Sequence, residues 1–359
     1  MKQRCLVLFF LSMMLFILPS LILAQDAPPL KITPDAVSSA TPLATQQVIP
    51  EKLYLFMGGR TTQPYRYPSV KLAPMPTIRV RHPEVTPTGE ILGTYSYTGI
   101  PIYYILERTT PLKFPTDGFD RPWDMMVVFH AMGGKKSYFS YGELTLVNDS
   151  LPVMVAYHRE PVLPSKDPAS YKKNTLPDDF KALQVICPKD KDNSRNIYNV
   201  VDCTLEQPAY PDELLPKVQK GSPCTPPTSI TCIADGKTSV ASFDKLPVIK
   251  TDRWIRIGHG QGIKEDKPVI ASGVHLRSFL ESNFPGCTSS DFFLFVGCDG
   301  YRALFSGKEI FDTPEGDSMM IINSVKAGYT LAPVGDFFVD RAVRDLSHVL
   351  LVRPPVTFL

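Results

Sequence analysis

An α+β fold used twice in one chain is what this sequence predicts, and three observations predict it. The 359 residues are enough for two domains of ordinary size, each with its own core. Short runs rich in β-branched and aromatic residues, bounded by Gly or Pro, read as strands mixed with a few helices. The stretch Val269 to Pro333 also has a counterpart between Leu92 and Pro164, with the same blocks in the same order.

In the later copy, Ser272-Gly273-Val274-His275-Leu276 leads into Phe279-Leu280-Glu281, then the apolar run Phe292 to Val296 and an Asp299-Gly300-Tyr301 turn. Leu304-Phe305-Ser306, Met319 to Ile322 and Leu331-Ala332-Pro333 follow. In the earlier copy the blocks are Thr98-Gly99-Ile100-Pro101-Ile102, Ile105-Leu106-Glu107, Met125 to Phe129, Gly133-Gly134, Tyr138-Phe139-Ser140, Val153 to Ala156 and Leu163-Pro164-Ser165. Flanking segments agree too: Ile78-Arg79-Val80 with His82 is echoed by Ile255-Arg256-Ile257 with His259, and Arg195 to Leu205 by Arg341 to Leu351. Solenoid repeats are a few tens of residues long, so a repeat this long implies duplication of a whole domain.

Taken in order, Lys2 and Arg4 precede an uncharged apolar run from Cys5 to Leu23, and Ala24 stands before Gln25 and Asp26. That order predicts a secretory signal over residues 1–24; the alternative is an uncleaved membrane anchor. Export would place the protein in the periplasm or outside the cell. Residues 25–76, rich in Pro, Ala, Thr and Ser, read as an extended arm, in which Leu53-Tyr54-Leu55-Phe56-Met57 is apolar enough to cover the next domain or dock on a partner.

The first domain is expected over 77–206. Thr98 would cap a short helix with Pro101 in its first turn and Ile102, Ile105 and Leu106 on one buried face. Met125 to Phe129, Val153 to Tyr157 and Leu183 to Ile186 would be strands. Residues 207–250 turn to Pro, Lys, Ser and Thr and read as the linker, and the second domain follows over 251–359.

Loss of the first 24 residues would remove Lys2 and Arg4 and no acid, leaving 36 basic against 36 acidic residues. That balance lacks the basic excess a phosphate backbone requires, which argues against nucleic-acid binding. Beyond Cys5, six cysteines fall as three local pairs: Cys187 with Cys203, Cys224 with Cys232, and Cys287 with Cys298. An even count in an exported chain favours disulfides, with free buried thiols the alternative. Spacings for a zinc site, a Gly-x-Ser-x-Gly elbow or a Gly-rich phosphate loop are all missing. Four histidines, His130, His158, His275 and His348, read as structural.

The blocks at Tyr97 to Ile102 with Leu106-Glu107, at Gly273 to Leu276 with Leu280-Glu281, the Asp299-Gly300-Tyr301 turn and the closing segments from Arg195 and Arg341 together resemble the sulfite-oxidase-like molybdopterin-binding domain. The resemblance covers most of both copies and implies a mixed-sheet α+β domain in tandem. It also implies a molybdenum held by a cysteine thiolate shortly before the Thr-Gly-Ile-Pro block. Here the corresponding windows, Arg81 to Tyr97 and His259 to Ser272, contain no cysteine, and imidazole is a harder ligand than thiolate.

The expectation is therefore an exported, non-catalytic binding or scaffold protein on a duplicated molybdopterin-oxidoreductase-like fold. No cofactor is expected, and the partner would be a small ligand or another exported protein. His82 and His259, which recur, and Arg195 and Arg341, placed for phosphate contact, are the candidate ligand-binding residues. Tyr95 and Tyr97 around His82, and Ile270 near His259, would fill the abandoned pockets. Two other classes remain open: a molybdopterin-dependent oxidoreductase with an unusual metal site, and a structural subunit docking on an electron-transfer partner through Leu53 to Met57.

Overall fold

Among the described residues, eighteen short strands and five short α-helices follow one another in an order that repeats. The computed structural model describes residues 53–85, 89–114, 118–147, 151–162, 182–210, 215, 223–254, 269–324, 328–336 and 338–354. The signal-like segment, the arm up to residue 52 and His259 lie outside them. The first half comprises β1 (Tyr54–Gly59), β2 (Tyr65–Pro68), α1 (Ser69–Leu72), β3 (Ile78–Val85), β4 (Ile91–Pro101), α2 (Ile102–Leu106), β5 (Met126–Ala131), β6 (Lys136–Ser140), α3 (Tyr141–Thr145), β7 (Met154–Pro161), β8 (Leu183–Ile186) and β9 (Ile197–Glu206). The second comprises β10 (Thr231–Ala234), β11 (Lys237–Val240), β12 (Val248–Trp254), β13 (Val269–His275), α4 (Leu276–Asn283), β14 (Phe292–Gly297), β15 (Arg302–Ser306), α5 (Gly307–Phe311), β16 (Met319–Ser324), β17 (Gly328–Pro333) and β18 (Leu346–Val352).

Strand pairing in one half recurs in the other. β1 pairs with β2 and runs parallel to β9, as β10 pairs with β11 and runs parallel to β18. The β5–β6 hairpin lies antiparallel to β9, as β14–β15 does to β18. β4 sits between β3 and β7, as β13 sits between β12 and β16. The halves differ at one ladder. β8 joins β9 through Leu183↔Val200 and Val185↔Ile197 and unites the first half into one sheet, whereas the second half has only the bridge Leu331↔Val343 and splits in two.

Gly99 and Gly273 hold equivalent places in these ladders, opposite Ala156 and Ile322. A Cβ at Gly99 would collide with the Val155 carbonyl, and one at Gly273 with the Ile321 carbonyl. Only glycine lets the strands approach so closely before the chain turns into α2 or α4.

Alternation explains the all-apolar run of β14. Phe293 and Phe295 enter the core of the second half, while Phe292, Leu294 and Val296 face a core shared by both halves. β5 does the same, with Val127 and Phe129 in the first core and Met126 and Val128 in the shared one. A strand buried on both faces has no polar side to show. This shared layer makes residues 48–359 one compact unit.

Several expectations need correction. Part of the expected arm is sheet: β1 and β2 place Leu55 and Met57 in the first core and leave Tyr54 and Phe56 exposed. The expected linker holds β10, β11 and the start of β12. Thr98 lies inside β4, and Pro101 precedes α2 with no side-chain cap, because the chain passes directly from strand to helix. Ile270 is 72% exposed and fills no pocket. No described helix is long and apolar enough to cross a membrane.

Candidate functional site

The first window that lacks a cysteine is occupied by a buried polar cluster. Period-two alternation puts Val80, His82 and Glu84 of β3 on one inward face, against Tyr95 and Tyr97 of β4. Glu84 accepts hydrogen bonds from the Tyr97 hydroxyl, from the Tyr198 hydroxyl at 2.6 Å and from Asn193 Nδ2 at 2.6 Å. With three donors the buried carboxylate is satisfied. Burial first, then the nearby Glu84 charge, raises the pKa of both phenols, so they remain donors. His82 Nε2 lies 3.3 Å from Asn196 Nδ2, and burial lowers its pKa despite Glu84. Among the described residues of that window, His82, Tyr95 and Tyr97 are all buried. Its counterpart at His259 is outside the described residues.

Arg195 and Arg341 are not open to a phosphate. Arg195 donates through Nε and Nη2 to Asp190, at 2.7 Å each, and through Nη1 to Glu143 at 3.0 Å. Arg341 repeats this with Asp336, at 2.7 and 2.6 Å, and with Glu309 at 2.6 Å. Each guanidinium lies over a ring, Arg195 on Phe139 at 4.5 Å and Arg341 on Phe305 at 4.2 Å. An arriving anion would have to displace two carboxylates from either one.

The two arginine sites are joined. Ser140 and Ser306 cap α3 and α5 in capping boxes with Glu143 and Glu309 three residues on. Each serine hydroxyl then donates across the molecule: Ser140 Oγ to Glu309 Oε1 and Ser306 Oγ to Glu143 Oε2, both at 2.9 Å. The caps of the two halves are therefore interlocked. Four buried carboxyls face two guanidiniums, so burial is only partly compensated. It pushes Glu309 up to about 7 against the pull of Arg341, and raises Asp336 likewise. Burial alone would lower the Arg341 pKa, yet Asp336 and Glu309 hold it above its ordinary value.

Beside this joint is a groove of about 380 Å³, between the free edge of β6 and the second half. Tyr138, Phe292 and Pro354 give it apolar surface, Lys135, Lys136 and Lys308 give it charge, and none of its lining residues is acidic.

The cysteines pair differently from their order in the chain. Cys224 is bonded to Cys298, with Cα atoms 5.9 Å apart, while Cys187, Cys203, Cys232 and Cys287 are free thiols. Cys187 follows β8 and its N–H donates to Asn196 Oδ1 at 2.8 Å, whereas Cys203 lies within β9 opposite Met57 and Phe129. Burial raises the thiol pKa of all four free cysteines. The remaining histidines sit where expected: His130 in β5, His158 in β7, His275 before α4 and His348 in β18.

Sequence reasoning missed Glu143, Glu309, Asp190 and Asp336. The signal was present as Phe-Ser-x-x-Glu at Phe139 and Phe305, and as Asp-x-x-x-x-Arg at Asp190 and Asp336.

No protein-family model matches the chain, and no curated protein matches it. Among solved structures it is similar to the sulfane dehydrogenase SoxCD from Paracoccus pantotrophus, at 11% identity and a TM-score of 0.31, over 85% of this chain and 78% of that one. A likeness at that level decides nothing about fold or activity.

Proposed function

We propose that the protein is an exported, non-catalytic binding protein made of two divergent copies of a sulfite-oxidase-like domain, which meets its ligand where the copies join. The observation that carries this reading is the fate of the two arginines. The side chains best placed to hold a cofactor phosphate are both closed on carboxylates inside the joint. The repeated pairing scheme, the equivalent Gly99 and Gly273 and the interlocked caps support descent of both halves from one domain. The signal-like first residues and the Cys224–Cys298 bond support export.

The residues present do not fit a molybdenum centre. Neither window supplies a thiolate, the first is filled by Tyr97 and Glu84, and the free cysteines are held as thiols. Metal analysis of protein purified from its native host should find less than a tenth of an equivalent of molybdenum, roughly the level of adventitious binding. One equivalent would move the assignment to an oxidoreductase with an unusual metal site. The reading as a docking subunit keeps a narrower surface, because Leu55 and Met57 are buried and only Tyr54, Phe56 and Tyr65 of that region stand exposed.

A further inference from the structure

The groove beside the joint carries charges of two kinds. Arg195 is neutralised by Asp190 and Glu143, and Lys308 by Asp192 and Asp312. Lys135 and Lys136 differ: among the described residues no carboxylate lies within ion-pair distance of either amine. Lys135 is exposed, and its ammonium donates to the Asn196 carbonyl at 2.7 Å. Lys136 lies opposite His130 in the β5–β6 hairpin, and Asp202 feels its charge at longer range. The groove is also lined by apolar surface from Tyr138, Phe292 and Pro354, and by Ser289 and Ser290.

We propose that this groove binds a small amphiphilic anion, an apolar ring or short chain carrying one carboxylate or sulfonate, with its head at Lys135 and Lys136 and its body against Tyr138 and Phe292. Three features select that chemistry. The volume of about 380 Å³ is near the lower end for small-molecule sites and suits one ring or a short chain. An apolar floor penalises a fully hydrated inorganic anion, because it offers too few donors to replace the lost water. Two cations without carboxylate partners, on a wall free of acids, disfavour a cationic head and favour a charge-assisted contact with an anionic one. The identification deepens the reading of the chain as a binding protein, yet it rests on different residues.

The test uses the full-length protein and two fluorescent probes of similar shape, anionic 8-anilinonaphthalene-1-sulfonate and neutral N-phenyl-1-naphthylamine. The anionic probe should bind at one saturable site, weaken with added salt, and be displaced by decanoate but not by decanol or inorganic phosphate. Lys136→Met, and separately Lys135→Met with Lys136→Met, should weaken it by about tenfold or more, the scale of one or two charge-assisted contacts. The neutral probe should change less than about twofold, since its transfer depends on apolar area alone. Lys135→Arg, which retains a donor for Asn196, should stay close to wild type and so separates charge from folding. Displacement by phosphate alone, binding that does not saturate, or equal loss of both probes in the lysine variants would overturn the assignment. Stoichiometric molybdenum would instead overturn the non-catalytic reading and leave the probe result standing.

Discussion

Glu309 gives the most direct test of the interlocked joint, because its carboxyl must take up or release a proton inside the fold. It accepts from the Ser306 backbone, from Ser140 Oγ and from Arg341, and Glu143 and Asp336 are the other carboxyls that bear on it. Burial raises its pKa from the ordinary 4.5 to about 7. The folded state therefore holds this proton more tightly than the unfolded chain does between those pH values. Stability from this group is fully present below about 4.5 and is lost as pH rises through about 7. At 1.36 kcal/mol per pKa unit, the difference amounts to roughly 3 kcal/mol. Urea unfolding should show wild-type stability falling between pH 5 and pH 8 relative to Glu309→Gln, with the difference curve spanning that amount. Gln keeps the length of the side chain but offers Arg341 or Ser306 a donor where each needs an acceptor, so the variant should be weaker at every pH. The slope, not the offset, is the readout. His82, His158 and His348, whose pKa values burial lowers, contribute the opposite slope in both proteins and cancel in the difference. Parallel curves for the two proteins would refute a protonated Glu309 in the joint.

Gly142→Ala should destabilise the fold by about 1–3 kcal/mol, because the new methyl would overlap Arg341 Cδ inside a packed network, whereas Gly133→Ala, with open space at its Cβ, should lie within about 0.5 kcal/mol of wild type. Gly99→Ala should cost at least as much as Gly142→Ala, since it drives a methyl into the Val155 carbonyl, and urea midpoints measure all three. Peptide mapping of the unreduced protein should join Cys224 to Cys298 and find Cys187 and Cys203 alkylated only after unfolding. Removing that bond, which spans 74 residues, should cost about 4 kcal/mol by loop-closure entropy; recovery of Cys187 joined to Cys203 would refute the β8–β9 register.

What could be read from the sequence and what could not divide along a physical line. The strands at Met126, Leu183, Phe292 and Met319 were legible because each is a local run whose character is set by burial on one or both faces. β1 was not, since it owes its place to its parallel partner β9 more than a hundred residues away, whereas β10 carried a local signal that was overlooked, the Asp235-Gly236 hairpin turn into β11. The cysteine pairing failed for the same reason, because register and not chain proximity decides which sulfurs meet. Arg195 and Arg341 were singled out for a phosphate contact, and in the structure carboxylates hold both guanidiniums. Position along the chain suggested a phosphate, whereas the partners are carboxylates brought in by a preceding loop and by a helix cap. Those caps also explain why the two halves form one body. Without the second half, Ser140 and Glu143 would each lose their partner across the joint, and Met126 and Val128 would face water. A buried carboxylate stripped of a donor and an apolar face stripped of its cover are both costly. Each half therefore completes the other, and the groove between them exists only where both are present.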